Sequence, residues 1–334
     1  MAHFVILLLV LGALSLLVTV VSHAAVAIVT GRRPEHGPLP SISVLKPVKG
    51  LEPGLYQNLA ALARQDYPNF ELLIGAEDLR DPALGVARKL QRDFPEVRIS
   101  VLSGARELGY NPKVSNLNTL SECAEHDWIL ISDSSVRPDP QYLRAMAAEL
   151  SDPKVGLVSS VLVGFGGRGP GAVLDNLLLN TLATRAICTA DVLVSHSCVV
   201  GKSMLFRLSE LRRLGGFAQV KDVLAEDYVL GRMFQKAGFR VALSGHCLPT
   251  QSSQRTLVDF CARHLRWAQM RRWLSLGYWA EPLLTPVPWF GIALLLTLVH
   301  PMALASSTVC GFALAGLLLR ACSDALLLRM LTRR

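Results

Sequence analysis

The fold of this chain is decided by the stretch WILISDSS at residues 128–135. Its first four residues are apolar and rich in aromatic or β-branched side chains, which is typical of a strand buried on both faces. Asp133 follows at once, and a carboxylate there is costly unless it is paired with a cation or bound to a metal. The alternative is that Asp133 caps the next turn, with Ser134 and Ser135 bonding the local backbone.

Working outward, short strands and helices alternate along the first half of the chain. Strands are predicted over residues 42–45, 70–74 and 97–102, and helices over residues 55–65, 82–92, 113–125 and 140–150. This alternation predicts crossover connections and a mainly parallel sheet, so the expected fold class is α/β. Ligands bind beyond the carboxyl ends of such strands. Asp78 and Asp133 each follow a strand and are therefore site candidates, although Asp78 also reads as a loop or helix-capping acid.

Both ends of the chain are apolar. Hydrophobic residues make up 51% of the 334 residues and charged residues 18%, with a mean hydropathy of +0.36 that is high for a soluble enzyme. Residues 4–29 exceed the roughly 20 apolar residues that cross a bilayer. No cation precedes this run and Arg32 and Arg33 follow it, which predicts an anchor over residues 1–31 rather than a cleaved signal peptide.

The charges beside the apolar ends predict the orientation in the membrane. By the positive-inside rule, the central domain at residues 40–275 faces the cytoplasm, and the protein is a multi-pass membrane protein. Residues 282–328 are long enough for two short crossings, so a C-terminal membrane hairpin is predicted, turning near His300-Pro301 and Ser306-Ser307. One crossing plus a re-entrant segment is the alternative.

The net charge of +8 raises the question of a nucleic-acid partner. No basic run is interleaved with stacking aromatic residues, and the cations concentrate near the apolar ends. An anionic lipid surface is therefore the expected partner, and nucleic acid is not. The seven cysteines include no C-x-x-C pair. They indicate neither a disulfide framework nor a zinc site, which fits a reducing cytosolic environment.

The second half of the chain contributes a candidate base and a basic helix. A helix is predicted over residues 223–237 with Glu226 and Asp227 in its first turn, where the helix dipole keeps carboxylates ionised. An ionised acid beside an acceptor hydroxyl can act as a general base. The alternative is an ordinary charge pair at a helix start. Before it, residues 174–187 form an apolar segment that is predicted to line a groove or face the membrane.

The pentad RHLRW at residues 263–267 lies in an amphipathic helix predicted over residues 255–274. Arg263 and Arg266 are three residues apart on one face, and paired guanidiniums bind a diphosphate through several donors. The indole of Trp267 can stack on a sugar. The alternative is a basic helix that only lies on the membrane surface.

Two glycine patterns are rejected as nucleotide-binding loops. Gly201-Lys202-Ser203 looks like the end of a P-loop, but the upstream glycine would have to stand at His196. The five glycines between residues 164 and 171 follow no βαβ fingerprint, so a dinucleotide site of the Rossmann type is not expected.

The candidate acids and the pentad are more specific when taken together, in their order along the chain, than any one of them alone. The order Asp78, Asp133, Asp227 and RHLRW resembles the D, D, D, (Q/R)xxRW pattern of inverting family 2-like glycosyltransferases, and is most similar to the ceramide glucosyltransferase-like enzymes of family 21. The stretches VLKP at 44–47, NPK at 111–113 and CVVGKS at 198–203 add to it. The resemblance covers residues 40–275 and the N-terminal anchor.

This resemblance implies a GT-A fold, the type that binds nucleotide-diphospho-sugars, and transfer of glucose or another hexose from a UDP-sugar to the primary hydroxyl of a lipid such as ceramide. Asp227 is then the catalytic base that yields a β-glycoside, and Asp133 binds a divalent cation, Mg²⁺ or Mn²⁺, with the diphosphate. The residues implied to bind substrate are Asp78, Lys46, Lys113, Glu226, Arg263, Arg266 and Trp267. The stretch at Asp133 lacks the second acid of a full DxD motif, which leaves metal dependence open.

Three rival functions remain at this point. A glycosyltransferase for a hopanoid or diacylglycerol would share every motif and differ in its acceptor pocket. A processive polysaccharide synthase would need more membrane spans. A non-enzymatic membrane adaptor would explain the apolar ends and the basic helix, but not three acids in the order of the family.

Overall fold

The computed structural model describes residues 2–32, 37–194, 199–274, 281–299 and 306–332. The strands are β1 (Ile42–Pro47), β2 (Phe70–Ala76), β3 (Arg98–Ser103), β4 (Trp128–Ser132), β5 (Val155–Phe165), β6 (Ser203–Arg207) and β7 (Arg240–Gln251). The helices of the first half are α1 (Ala2–Gly31), α2 (Leu55–Ala63), α3 (Ala83–Asp93), α4 (Pro112–Glu122) and α5 (Tyr142–Ala148). Those of the second half are α6 (Pro170–Leu178), α7 (Thr184–Val194), α8 (Leu208–Arg213), α9 (Glu226–Lys236), α10 (Leu257–Leu274), α11 (Pro286–Val299) and α12 (Ser306–Thr332).

The seven strands form one mixed sheet in the order β3-β2-β1-β4-β6-β5-β7. Strands β1 to β4 are parallel to one another, with β1 paired to both β2 and β4. Strand β6 is antiparallel to β4 and β5, while β5 and β7 are parallel. The predicted α/β class with a mainly parallel sheet is confirmed, and β5, β6 and β7 were not predicted.

The alternating side chains of the strands bury two cores, one on each face of the sheet. In β4, Leu130 packs in the core beneath α2, α3 and α5, while Ile129 and Ile131 pack in the core beneath α4, α8 and α9. All three side chains are fully buried. This is the two-sided burial that the apolar stretch ahead of Asp133 predicts.

The apolar ends of the chain form helices that pack beside the sheet. Three helical segments are long and apolar enough to cross a membrane among the residues described: His3–Gly31, Pro170–Val194 and Ser307–Thr332. A third core joins Val26 and Val29 of α1 and Leu327 of α12 to Val161 and Leu243 of β5 and β7. The apolar helices expected at the N-terminal and C-terminal ends are therefore present as candidate membrane spans, and they pack directly on the α/β domain.

The C-terminal segment holds one long and one short helix. Helix α11 has 14 residues, about 21 Å at 1.5 Å per residue, against a hydrocarbon core of about 30 Å. It packs against α1 and α12. Residues 300–301, where the turn was predicted, lie outside the described residues, and Ser306 and Ser307 begin α12.

The apolar segment predicted over residues 174–187 lies in the long helical stretch Pro170–Val194, in which a π-helical turn at Leu179–Ala183 joins α6 to α7. The side-chain amide of Asn180 bonds the backbone of Gly164 at the end of β5 in both directions, at 2.6 and 2.9 Å. This stretch is thus attached to the sheet as well as to the membrane helices.

Candidate functional site

The first candidate acids stand at one edge of the sheet because β2 and β4 are parallel. Asp78 follows β2 and Asp133 follows β4, with β1 between them. Two strand spacings separate them laterally, about 10 Å. Asp78 is exposed, and its Oδ1 accepts a hydrogen bond from the backbone N–H of Arg80 at 2.8 Å. It is therefore open to a ligand at the rim of the site.

Asp133 is held in a dense polar environment. Its Oδ1 accepts hydrogen bonds from the N–H and hydroxyl of Ser135 at 3.0 and 2.5 Å, and lies 3.4 Å from the Lys202 ammonium. Burial alone would raise the pKa of Asp133, but Lys202, Lys113 and the Ser135 bonds outweigh it and hold the pKa well below its usual range. The carboxylate, 29% exposed, is thus ionised and faces the open edge of the sheet.

Lys46 lies directly beneath Asp133 at the end of β1. Its side chain is fully buried, and its ammonium donates to the Asp133 carbonyl and to the Ser132 hydroxyl, the latter at 3.2 Å. Burial lowers the pKa of Lys46 to about 7 in spite of Asp133 and Glu52 nearby. In this position the side chain supports the loop that carries Asp133.

The start of α9 brings Glu226 to Lys113. The Lys113 ammonium donates to Glu226 Oε1 at 2.6 Å and to the Gly201 carbonyl at 3.1 Å. Lys113 stands in the first turn of α4, which Asn111 caps through its side-chain oxygen. Burial lowers the pKa of Lys113, but Glu226 and Asp133 more than compensate and the net pKa is raised. Glu226, which is buried, and Lys113, which is partly exposed, form an ion pair in the site.

Asp227, the predicted base, is bound by backbone N–H groups. Its Oδ2 accepts from Gly201 at 2.7 Å and its Oδ1 from Tyr228 at 2.8 Å. Burial raises the pKa of Asp227, the neighbouring Glu226 raises it further, and Lys113 with the two N–H bonds only partly offsets the rise. A carboxylate with a raised pKa is better suited to accept a proton near neutral pH.

One short segment connects the two acids. Gly201 donates to Asp227, and the next residue, Lys202, pairs with Asp133. A side chain at position 201 would meet Asp227, since a Cβ there would lie 2.8 Å from Oδ2. Neither Gly201 nor Lys202 was among the predicted site residues. The available signal was the GKS tripeptide, which was rejected as a P-loop because His196 stands where the upstream glycine would be, and which otherwise counted only as part of the CVVGKS stretch of the family resemblance.

The pentad reaches the site from α10, which packs on α6. The Arg263 guanidinium stacks on the Trp267 ring, 4.3 Å from the ring centroid. The negative charge of Asp133 attracts the Arg263 guanidinium and favours its charged form. Burial lowers the pKa of Arg263, with Arg255 adding to the effect, although a guanidinium keeps its charge. Arg266 is exposed on the same helix.

Asp175 on α6 anchors this helix. Its carboxylate accepts from His264 at 2.7 Å and lies 3.0 Å from Arg255 Nε, and only 10% of its side chain is exposed. Gly171 permits the contact, because a Cβ there would lie 2.1 Å from the Thr256 carbonyl. Asp175 was not predicted, since its partners are about 80 residues away along the chain.

The structure therefore brings most of the predicted residues to one edge of the sheet. Those linked by direct bonds or through 201–202 are Lys46, Lys113, Asp133, Glu226 and Asp227. Asp78 stands at the rim, and Arg263, Arg266 and Trp267 approach on α10. Their individual roles stay predictions.

The residues around Asp133 do not fit a divalent cation held by the protein. Within the described ranges, no group of three or more His, Cys, Asp or Glu side chains is placed to hold a metal ion. Asp133 offers a single carboxylate, and a lysine ammonium already lies against it. Hard divalent ions select oxygen ligands and are repelled by a fixed cation. Asp133 as a metal ligand stays a prediction.

Comparison with known proteins identifies the family. A model described as "Glycosyl transferase family 21" matches residues 7–334. The chain belongs to this family. The resemblance seen in the acids and the pentad is thereby confirmed, and the match extends beyond them into both apolar ends.

Two named relatives agree with that family. "Ceramide glucosyltransferase 1" of Caenorhabditis elegans is 30% identical over 234 residues, which are 70% of this chain and 50% of the relative. "Ceramide glucosyltransferase 3" of the same organism is 29% identical over 238 residues, 71% of this chain and 52% of the relative. The chain thus spans about half the length of these curated relatives.

Among solved structures, the chain resembles a mannosyltransferase from Pyrobaculum calidifontis in complex with GDP-Man and Mn²⁺. The TM-score is 0.55 with 19% sequence identity, covering 95% of this chain and 96% of that one. At this identity the likeness concerns the fold, and it confirms the predicted GT-A type.

Proposed function

We propose that this family 21 chain is a glycosyltransferase that moves a hexose, glucose in our assignment, from a UDP-sugar to the primary hydroxyl of a membrane lipid such as ceramide. The observation that carries the proposal is the 201–202 segment, which joins Asp133 and Asp227 at the open edge of the sheet. An acid near the diphosphate and a separate base are what a single-step transfer needs.

The donor would lie across the strand ends. Asp78 and Asp133 follow strands whose lateral separation is two strand spacings, about 10 Å. That separation suits a nucleoside at Asp78 and a diphosphate near Asp133. Arg263 and Arg266 would stabilise the charge that develops on the departing diphosphate, a task that dominates many group transfers. Trp267 would contact the sugar.

The acceptor hydroxyl would meet Asp227. The raised pKa of this carboxylate and its fixed orientation by two N–H bonds suit removal of the hydroxyl proton as the oxygen attacks the anomeric carbon. Attack from the face opposite the leaving diphosphate inverts the anomeric centre, which gives a β-glycoside from an α-linked donor. No step in this mechanism is assigned to a metal.

The surroundings of the pentad favour a lipid over a soluble acceptor. Helices α6 and α10 present apolar side chains outward: Val173 is 64% exposed, Val258 77% and Leu265 61%. Apolar residues at such exposure next to basic residues are typical of a helix that lies at a membrane surface. A lipid could then reach the site without leaving the bilayer.

We propose that the catalytic domain at residues 40–275 lies between the anchor at 1–31 and the membrane segment at 282–328, on the cytoplasmic side. Arg32, after α1, and Thr332, at the end of α12, line one cavity, so both helices end on the same side. Arg329 lies in the last turn of α12, and cations on that side obey the positive-inside rule. A reporter fused after Arg334 should be active only in the cytoplasm; activity on the other side would refute this orientation.

Transfer assays test the proposal as a whole. The purified chain in nanodiscs is incubated with radiolabelled UDP-glucose, UDP-galactose or UDP-N-acetylglucosamine, and with ceramide, diacylglycerol or a hopanoid. We expect a labelled β-glycolipid from UDP-glucose and ceramide. Labelling of diacylglycerol or the hopanoid alone would move the acceptor assignment to the rival lipid, and no product from any pair would refute the activity.

A further inference from the structure

Lys202 occupies a place that the proposed mechanism does not yet use. Its ammonium donates to the hydroxyls of Ser135 and Thr250, the latter at 3.0 Å, and lies 3.4 Å from Asp133 Oδ1. These partners come from the loop after β4 and from β7, while Lys202 itself precedes β6. Three segments of the chain therefore fix one cation at the carboxylate.

The other two lysines of the site are engaged differently. Lys46 donates to a backbone carbonyl and a serine hydroxyl below the surface. Lys113 is paired with Glu226. Lys202 is the lysine that contacts the Asp133 carboxylate itself, and its side chain is 26% exposed on the side of the open edge.

A cation between an aspartate and a diphosphate is the arrangement that a divalent ion makes when one carboxylate holds it. We propose that Lys202 takes this place, bridging Asp133 and the donor diphosphate, and that the chain binds its donor and transfers the sugar without a divalent ion. This inference rests on the proposed function, since it assumes a nucleotide-diphosphate donor at this edge.

The charges are consistent with this assignment. Lys202 and Asp133 form a pair with no net charge, so the charge of the diphosphate is compensated by the guanidiniums of Arg263 and Arg266. The hydroxyls of Ser135 and Thr250 keep the ammonium in place before the donor arrives, and preorganised charge needs no rearrangement during the reaction.

The chemical step balances without a metal. The bond between the anomeric carbon and the β-phosphate oxygen breaks, and its electron pair leaves with UDP. The acceptor oxygen forms a bond to the anomeric carbon, and its proton passes to Asp227. Lys202 keeps its proton throughout and contributes only its charge and hydrogen bonds.

The test is UDP binding, measured by isothermal titration calorimetry on the full chain in nanodiscs, either in EDTA or with excess Mg²⁺. The wild type should bind UDP about equally in both. Lys202→Met should bind about tenfold or more weakly in EDTA, on the scale of one charge-assisted hydrogen bond. Mg²⁺ should then restore its affinity, because the substitution leaves Asp133 open to a metal.

Two further variants guard the interpretation. Lys202→Arg keeps the charge, so its UDP binding should stay independent of Mg²⁺. If Lys202→Met does not fold, Thr250→Val replaces it. This variant removes a hydroxyl that accepts a hydrogen bond from the ammonium, and it should show the same Mg²⁺ response in weaker form. Lys154→Met is the matched control, because Lys154 is exposed ahead of β5 at the opposite end of the sheet. It should behave as the wild type does.

The outcomes separate this inference from the proposed function. UDP binding by the wild type that requires Mg²⁺, or equal affinities of Lys202→Met in EDTA and Mg²⁺, would overturn the role of Lys202 and leave the transferase proposal intact. UDP bound in EDTA with no transfer to any lipid would refute the acceptor and support Lys202. No UDP binding under either condition would refute both.

Discussion

The acids at the edge of the sheet share their surroundings with three lysines, whereas Asp324 on α12 lies between two arginines beside the membrane helices. We call the first group, Lys46, Lys113, Lys202, Asp133, Glu226 and Asp227, the site cluster. We call the second group, Arg185, Arg320, Ser323 and Asp324, the helix cluster. Both bury charge, and they differ in how completely the charge is compensated.

In the helix cluster both oxygens of the carboxylate are bonded to guanidiniums. Asp324 Oδ1 accepts from Arg185 at 2.9 Å and Oδ2 from Arg320 at 2.8 Å. Arg185 also donates to the Thr19 carbonyl and to the Ser323 hydroxyl, each at 3.0 Å. These bonds join α1, α7 and α12, which indicates a structural role.

In the site cluster the ionised form of one carboxylate, Asp227, is disfavoured. Asp227 accepts two backbone N–H bonds, yet burial and Glu226 still raise its pKa. A carboxylate whose ionised form is disfavoured, at an open edge of the sheet, is a candidate for proton transfer, because taking up a proton neutralises it. The comparison therefore distinguishes a candidate for proton transfer, Asp227, from a carboxylate with a structural role, Asp324.

The largest effect is expected from Asp227→Asn. The amide keeps the shape but cannot accept the proton, so transfer should fall by about 10²- to 10⁴-fold, the usual contribution of a general base. UDP affinity should change little. Radiolabelled transfer and calorimetry measure the two, and substantial residual turnover would place the base elsewhere, with Glu226 next.

The stability of Asp227→Asn tests whether the ionised form of Asp227 is disfavoured in the folded protein. A raised pKa means that folding disfavours the ionised form, so above both pKa values the carboxylate lowers stability, and this penalty disappears as the pH falls. The amide keeps an acceptor for only one of the two backbone N–H groups, which offsets the gain from removing the charge, so the variant should melt close to the wild type at neutral pH. The control is Asp152→Asn, which removes an exposed acid that pairs with Arg240 away from the site and should leave transfer unchanged.

The second prediction concerns the helix cluster. Asp324→Asn leaves two guanidiniums without their carboxylate and should destabilise the protein by roughly 3–5 kcal/mol, as breaking a buried pair does. Arg185→Met should cost less, because Asp324 keeps Arg320. Thermal unfolding in nanodiscs, followed by tryptophan fluorescence, gives the order. Equal melting temperatures in both variants and the wild type would contradict a structural role for this cluster.

Much of the first half of the fold could be predicted from the sequence because local signals agree there. β1 to β4 are short apolar runs separated by helices of ordinary length, and each predicted strand overlaps the observed one. Asp78 and Asp133 were identified for the same reason, since the end of a clear strand marks the ligand edge. Asp227 follows from a helix start that is visible in the sequence.

The second half could not be predicted from local pattern. Strand β7 contains Gly245 and Pro249, both of which argue against a strand, and it tolerates the proline because it is the edge strand of the sheet. Strand β6 has only five residues. Because β6 was not predicted, the sequence did not indicate that Lys202, which precedes it, lies beside Asp133.

Long-range pairing explains the remaining omissions. Arg185 and Asp324 are 139 residues apart, and Asp175 and His264 are 89 apart. Each of these residues looks like an ordinary helix charge in the sequence. Only packing of the helices shows that Asp324 closes the helix cluster and that Asp175 holds the pentad in place.

The third prediction tests whether Arg266 binds the leaving diphosphate or serves only to attach α10 to the membrane. Arg266→Lys keeps the charge and loses the planar fork that binds two phosphate oxygens. Transfer should fall by about 10²-fold, on the scale of one lost transition-state donor, while the protein still sediments with membranes. Arg272→Lys is the control on the same helix, where the guanidinium stacks on Trp273. Normal transfer by Arg266→Lys would assign α10 to membrane attachment alone.

The smallest expected effect is a shift of the pH profile, and it tests directly whether Asp227 is the base. The base is active when deprotonated, so kcat/KM should rise with pH through the pKa of Asp227, and the raised pKa places this limb above the usual range for an aspartate. Glu226→Gln removes a repelling charge and should move the limb to lower pH. Lys113→Met removes an attracting charge and should move it to higher pH. Profiles of the two variants measured with the same donor and lipid should therefore lie on opposite sides of the wild type. If both shift in the same direction, or neither moves, the limb belongs to another group and the electrostatic account of Asp227 is wrong.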